Sequence, residues 1–344
     1  MSPGLTYVVV KGHAMMADLL TPERMRALAE RESLEGFVEQ LANTPYGRIS
    51  IEAEGDLSIA LEKVFYQKFI ERMMAIVDLA PTKIGDFLQS YYYLRFEVIN
   101  LKRIIRGKFS GLPTTQIVES LIPIVPYSVG SYENLASKET FAEAIRLLDG
   151  TPYASLVGRL ELSDKYDAIW PIEIALNHLY ASAVFKSLEE LPQADRGLVK
   201  RIVQAEADVE NFLVAAKQRS ARESAHDPEE MFPATYGIGL DKLREAIRSE
   251  DIRKVIRELD WPYIDILAPL YTGDVALIRS RLRQHIYSIS RKGRAENDFG
   301  FNVIMAYLVF SEIEKDDLVG IGWGITQGIA PEDILKYLAI PNVE

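Results

Sequence analysis

Cysteine is absent from the 344-residue sequence. That removes disulfide frameworks, thiolate metal sites, iron–sulfur clusters and a thiol nucleophile. Histidine is scarce. His13, His178, His226 and His285 lie far apart, and none has a second histidine three or four positions on, so the helical H-E-x-x-H zinc pair is missing. Long hydrophobic runs are also missing: the longest, Val303 to Phe310, is far short of the roughly 20 residues a membrane span needs. The opening stretch MSPGLTYVVVKGHAMM lacks the cationic leader and sustained apolar core of a signal peptide. There is no positive excess, since 39 Lys and Arg against 50 Asp and Glu give a net charge of −11. Such a balance argues against general affinity for nucleic acid or anionic lipid. The expectation is a protein of the cytosolic side without a transmembrane span.

What is present is helical patterning. The apolar positions Leu57, Leu61, Val64, Phe65, Phe69, Met73, Ile76 and Val77 step by threes and fours, which marks one face of an α-helix. Similar stepping runs through 172–188, 198–214, 275–289 and 301–313. Proline and glycine (Pro81, Gly107, Gly111, Pro113, Gly150, Pro152, Pro233, Gly237, Pro262, Gly293) fall between such stretches and punctuate them. Only Thr6 to Val10 is dense in β-branched residues, too short a stretch to anchor a sheet. The pattern predicts an all-α fold.

An internal repeat organises the chain. Thr44-Pro45-Tyr46, Thr151-Pro152-Tyr153 and Trp261-Pro262-Tyr263 recur at spacings of 107 and 110 residues. Each follows an amphipathic helical stretch that the proline must end, because proline restricts the residue before it and donates no hydrogen bond. Farther on, Glu97 and Asn100 align with Asp208 and Asn211, and with Glu314 and Asp317. In the first and third copies a glycine follows (Gly111, Gly328), leading to LPTTQIVESLIP and IAPEDILKYLAIP. A period of about 110 residues is that of a small domain rather than of a solenoid repeat. The expectation is three quasi-equivalent helical-bundle domains, 1–130, 131–236 and 237–344, about a pseudo-threefold axis or in a curved row, the shape of an adaptor.

Catalytic motifs are hard to find. Gly107-Lys108 has Lys102 where a phosphate loop requires glycine, and Phe109 follows instead of Ser or Thr. Gly320, Gly322, Gly324 and Gly328 are expected after a helix rather than after a strand, as a helix end packed closely on a neighbour. The pairs Glu97/Asn100, Asp208/Asn211 and Glu314/Asp317 share a helix face at i, i+3. They read either as a carboxylate site for metal or acid–base work, or as a polar lock onto a neighbouring helix terminus or loop. Three quasi-equivalent copies favour the lock. Neither a catalytic residue nor a cofactor or metal site is expected. The cationic run around Arg279, Arg281 and Arg283 reads as a solvated face, or as a contact with an acidic partner through Arg279 and Arg283, which share a face at i, i+4. Gln218 to Glu230, almost without apolar residues, reads as an exposed loop.

Taken together, the helix running into T-P-Y, then E-x-x-N-L followed by I-x-x-G-K, resembles the C subunit of archaeal-type and vacuolar-type rotary ATPases, homologous to the vacuolar d subunit. The clearest lines are residues 91–113 (YYYLRFEVINLKRIIRGKFSGLP) and 307–338. The third copy departs with Asp317 for Asn and Trp323-Gly324 for Gly-Lys, and the second with Ala216-Lys217. The resemblance implies a funnel of three helical domains and a non-catalytic rotor part on the cytoplasmic face of the membrane. Its implied partners are the shaft subunits (D and F) and the membrane proteolipid ring, and its implied task is transmitting torque for proton- or sodium-coupled ATP synthesis or hydrolysis. Two alternatives are a free-standing helical scaffold and a carboxylate-based helical hydrolase.

Overall fold

The structure, a computed structural model, describes residues 3–47, 57–221, 232 and 235–342. The fold is all-α, with no strand among the described residues. In chain order the helices are α1 (Pro3–Met16), α2 (Pro22–Ala29), α3 (Leu34–Leu41), α4 (Leu57–Val77), α5 (Thr82–Leu88), α6 (Leu94–Phe109), α7 (Thr114–Glu119), α8 (Tyr132–Ala136) and α9 (Phe141–Arg146). They continue with α10 (Leu160–Tyr166), α11 (Trp170–Glu190), α12 (Arg196–Ala221), α13 (Leu240–Arg248), α14 (Ile252–Arg257), α15 (Tyr263–Leu267), α16 (Val275–Glu296), α17 (Phe301–Thr326) and α18 (Pro331–Tyr337).

The chain divides into two compact units. One is Thr82–Leu191, the other Met1–Pro81 together with Pro192–Glu344. A proline stands at each crossing, Pro81 and Pro192, where a helix cannot run through. These crossings fall inside the sequence copies 1–130 and 131–236, because the helices of one copy pack with the opening segment of the next.

In the larger unit α17 is the core. It packs against α1, α4 and α16, and Phe301 and Val303 to Leu308 have no exposed surface. A helix apolar on all sides is stable only when enclosed. α4 presents Leu61, Phe65, Phe69, Met73 and Ile76 to that core, the stripe its periodicity predicts. The β-branched stretch Thr6–Val10 is helical within α1, where Val8 and Val9 are buried. Tertiary burial outweighs the few tenths of a kcal/mol by which β-branching disfavours helix. No helix among the described residues is long and apolar enough to cross a membrane.

Two expectations are corrected. Gly320, Gly322 and Gly324 lie inside α17, not after it, and Gly328 alone forms the turn at its end, with φ +64°. Close packing accounts for Gly324, where a Cβ would come within 2.7 Å of Ile334 on α18. Gly324, not Trp323, is also the counterpart of Gly107, where a Cβ would meet Ile117 of α7 at 2.6 Å. Both hairpins close alike, with Leu112 N–H donating to the Gly107 carbonyl at 2.8 Å and Ile329 N–H to the Gly324 carbonyl at 3.0 Å. Gly111 (φ +71°) and Gly328 supply the left-handed residue such helix ends require. The polar stretch 218–230 is helical to Ala221 and from there, His226 included, lies outside the described residues, as does Pro233.

Candidate functional site

The T-P-Y turn has a local cause. Pro45 has no N–H, so the Thr44 hydroxyl takes over the turn, donating to the Leu41 carbonyl (2.6 Å) and accepting from Tyr46 N–H (3.2 Å). Thr151 does the same with Leu148 (2.6 Å) and Tyr153 (3.1 Å). In the third copy Trp261 has no hydroxyl, and Tyr263 N–H donates to the Asp260 carbonyl at 2.9 Å. The turn following Pro45, Pro152 and Pro262 sends each tyrosine inward.

Each tyrosine ends on a recurring carboxylate of another copy, the preceding one for Tyr153 and Tyr263 and the third for Tyr46. Tyr153 Oη donates to Glu97 at 3.0 Å, Tyr263 Oη to Asp208 at 2.5 Å, and Tyr46 Oη to Glu314 at 2.8 Å. Glu97, Asp208 and Glu314 have no exposed surface. Backbone amides from the segment ahead of each tyrosine complete the shell. Glu97 accepts from Tyr127 N–H (2.6 Å) and Ser128 N–H (2.8 Å), and from the Ser128 hydroxyl. Asp208 accepts from Tyr236 N–H (3.2 Å) and Gly237 N–H (2.8 Å), and Glu314 from Leu20 N–H. Aspartate is one methylene shorter than glutamate, so the backbone must come nearer to Asp208. A Cβ at Gly237 would lie 2.8 Å from the Tyr263 hydroxyl and 3.0 Å from Asp208, and glycine occupies that place.

The three sites differ in charge. Among the described residues only Glu314 has a cation: Arg72 of α4 reaches it at 2.7 Å, with 6% exposure, and also donates to Ser311 at 3.1 Å. Burial works against the Arg72 charge, yet Tyr46 and Glu314 carry its pKa upward. Burial and the Glu314 charge push the Tyr46 hydroxyl well up. Burial also raises Asp208, against its tyrosine and amide donors.

One turn beyond lies a second set of contacts. Asn100 is fully buried, accepts Ile122 N–H at 2.8 Å and donates to the Ile122 carbonyl at 3.0 Å. Asp317, equally buried, accepts Ala339 N–H at 2.9 Å and Ile340 N–H at 2.8 Å. Asn211 is half-buried. Glu97, Asp208 and Glu314, on α6, α12 and α17, thus each receive donors from their own chain. No cluster of three His, Cys, Asp or Glu able to hold a metal occurs among the described residues.

The arginines of α16 part company. Arg279 is exposed, with Glu210 3.8 Å away. Arg283 is mostly covered, 3.7 Å from Asp316 and donating to the Tyr337 carbonyl at 3.4 Å. Arg281 donates to the Asp265 carbonyl at 2.5 Å. Sequence pattern alone did not single out the tyrosines, Arg72 or the amides of Leu20, Tyr127 and Gly237 as ligands. The tyrosines had a signal in the threefold x-Pro-Tyr; Arg72, on one helix only, had none.

Buried carboxylates saturated by tyrosine and amide donors, repeated from copy to copy, define a structural helical protein whose polar residues hold helices together. The chain belongs to the ATP synthase (C/AC39) subunit family, which matches residues 8–337 and is a structural rather than a catalytic component. Among curated relatives, the C subunit of the A-type ATP synthase of Methanocaldococcus jannaschii is 26% identical over 343 residues, covering 96% of this chain and 85% of its own. The proteins of the same name from Thermococcus gammatolerans and Pyrococcus furiosus are 22% and 23% identical, covering 97% of this chain and 89% and 90% of their own.

Proposed function

We propose that this chain is the rotor component joining the central shaft (the D and F subunits) to the membrane proteolipid ring on the cytoplasmic face, and that it passes torque between them. The observation that carries this reading is the recurring tyrosine–carboxylate clasp. A coupling part must resist twist, and a buried charge-assisted hydrogen bond contributes about 1.5–3 kcal/mol where a surface pair contributes about 0–1. The clasps join copy one to two, two to three, and three back to one, which supports reading the chain as three domains. Membrane attachment is through protein contacts, because a net charge of −11 gives no attraction to anionic lipid. Arg279, with its exposed guanidinium, is the proposed contact with an acidic partner surface.

The test is a pull-down of the tagged full chain from detergent-solubilised membranes. Recovery of shaft and proteolipid subunits together supports the reading. Recovery of neither, with the chain intact, leaves a free-standing scaffold as the answer.

A further inference from the structure

The third copy departs from the repeat where the fold does not require it. Thr44 and Thr151 close their turns through the hydroxyl. At Trp261 the turn closes without the side chain, through Tyr263 N–H and the Asp260 carbonyl at 2.9 Å. The indole stands out instead, 71% exposed, and meets the His285 ring edge-on with 5.7 Å between centroids. The cationic run belongs to this copy too, and no Asp or Glu occurs from Val275 to Ala295 of α16. We propose that Trp261, His285, Arg201, Arg291 and Lys292 form a docking surface for an acidic segment of a partner protein, with the indole as its apolar anchor.

Helix geometry assembles this surface. His285, Ser288 and Lys292 follow at i, i+3 and i+7 and share the outer side of α16, with Arg291 about 100° round from Lys292. Arg291 and Lys292 are exposed. α12 lies close alongside, since a Cβ at Gly293 would stand 2.9 Å from Leu198. Arg201, one turn past Leu198, therefore comes to the edge of α16 and keeps 49% of its side chain exposed. Burial, with the charges of Lys292 and Arg201, holds His285 below its ordinary value, so the ring beside the indole is neutral at pH 7. The acids at the margin are Asp260, next to the indole, and Glu296, 3.7 Å from Arg201. Arg281 is turned aside to the Asp265 carbonyl. In a chain of net −11 the result is a local positive excess, which attracts an acidic partner, while two copies of the chain repel. An exposed tryptophan flanked by arginine is also the composition of interface hot spots. The surface is separate from Arg279, which lies about 220° from Lys292 around the helix axis. It does not depend on the rotor reading.

The test puts the photocrosslinker p-benzoylphenylalanine in place of Trp261 in the full chain, expressed in its own cells, with the same group in place of the exposed Glu139 as control. Adducts in solubilised membranes and in cytosol are identified by mass spectrometry. The expected result is an adduct made from the Trp261 position and not from the control, on a protein segment of net negative charge. Its yield should fall about tenfold when Arg291→Glu and Lys292→Glu are added, and should also fall as salt is raised. No adduct, an adduct on lipid, on a second copy or on a segment without negative charge, or a yield indifferent to the charge reversal, overturns the inference. Should the reversed variant not fold, the salt series decides, and a yield unmoved by salt overturns it. An adduct on an acidic segment of a shaft or ring subunit supports the rotor reading as well, and one on an acidic segment of another protein supports this surface without it. Recovery of shaft and ring with no adduct overturns this surface alone.

Discussion

Replacing Arg72 with methionine isolates the clasp in which a cation meets the carboxylate. Methionine keeps most of the length of the side chain and its burial but leaves Glu314, with no exposed surface, facing only Tyr46 and Leu20. The change deletes the 2.7 Å ion pair, the 3.1 Å bond to Ser311 and the guanidinium stacked 5.3 Å from the Tyr46 ring. Breaking a buried pair on one side costs about 3–5 kcal/mol, because an uncompensated charge remains. For a unit of this size that corresponds to a fall of about 6–20 °C in the unfolding midpoint. Glu314→Gln strands the arginine instead and should cost a similar amount. Arg72→Met with Glu314→Gln removes both charges, and the coupling in the double-mutant cycle should reach about 2 kcal/mol or more. Chemical denaturation followed by circular dichroism provides all four stabilities. A loss below about 1 kcal/mol for Arg72→Met, or additive single effects, would refute the clasp as an energetic junction.

Tyr153→Phe and Tyr263→Phe each remove one donor from a buried carboxylate and should cost about 1.5–3 kcal/mol in the same assay; losses within error would leave the tyrosines as packing alone. Asn100→Leu strands the Ile122 backbone groups and should destabilise by about 1–3 kcal/mol, read by faster hydrogen exchange at Ile122. Gly324→Ala places a methyl against Ile334, which is expected to cost about 1–3 kcal/mol and to be partly relieved by adding Ile334→Val. Burial raises Asp208 above the ordinary aspartate range, so its contribution to stability is largest below that range. Stability should therefore fall as pH climbs from the ordinary aspartate range through the raised value, and Asp208→Asn should flatten that stretch of the curve.

The helices were legible because their cause is local: Leu61, Phe65, Phe69, Met73 and Ile76 recur at the helical period and do face the core. The proline turn was equally legible, since Pro45 and Pro152 must interrupt a helix wherever they stand. The glycines of α17 misled for a physical reason. Gly320, Gly322 and Gly324 read as a break by propensity, but α17 is enclosed on the core and runs through them, and at Gly324 Ile334 approaches so closely that a side chain has no room. The carboxylates announced themselves through spacing, yet their ligands did not. Glu97 and Tyr153 are 56 residues apart and Tyr46 and Glu314 are 268 apart, and no periodicity along the chain encodes which copy's tyrosine meets which carboxylate. For the same reason the compact units, which cut at Pro81 and Pro192, were hidden behind a repeat that starts elsewhere.

The central claim is that the chain couples ion movement to nucleotide chemistry without performing either. The direct measurement is ATP hydrolysis and ion uptake, followed in parallel in membrane vesicles from cells lacking the chain, before and after adding the purified protein. Hydrolysis by the catalytic head without ion uptake, and uptake restored on addition, is the predicted result. Ion uptake that proceeds undiminished in its absence would contradict the account.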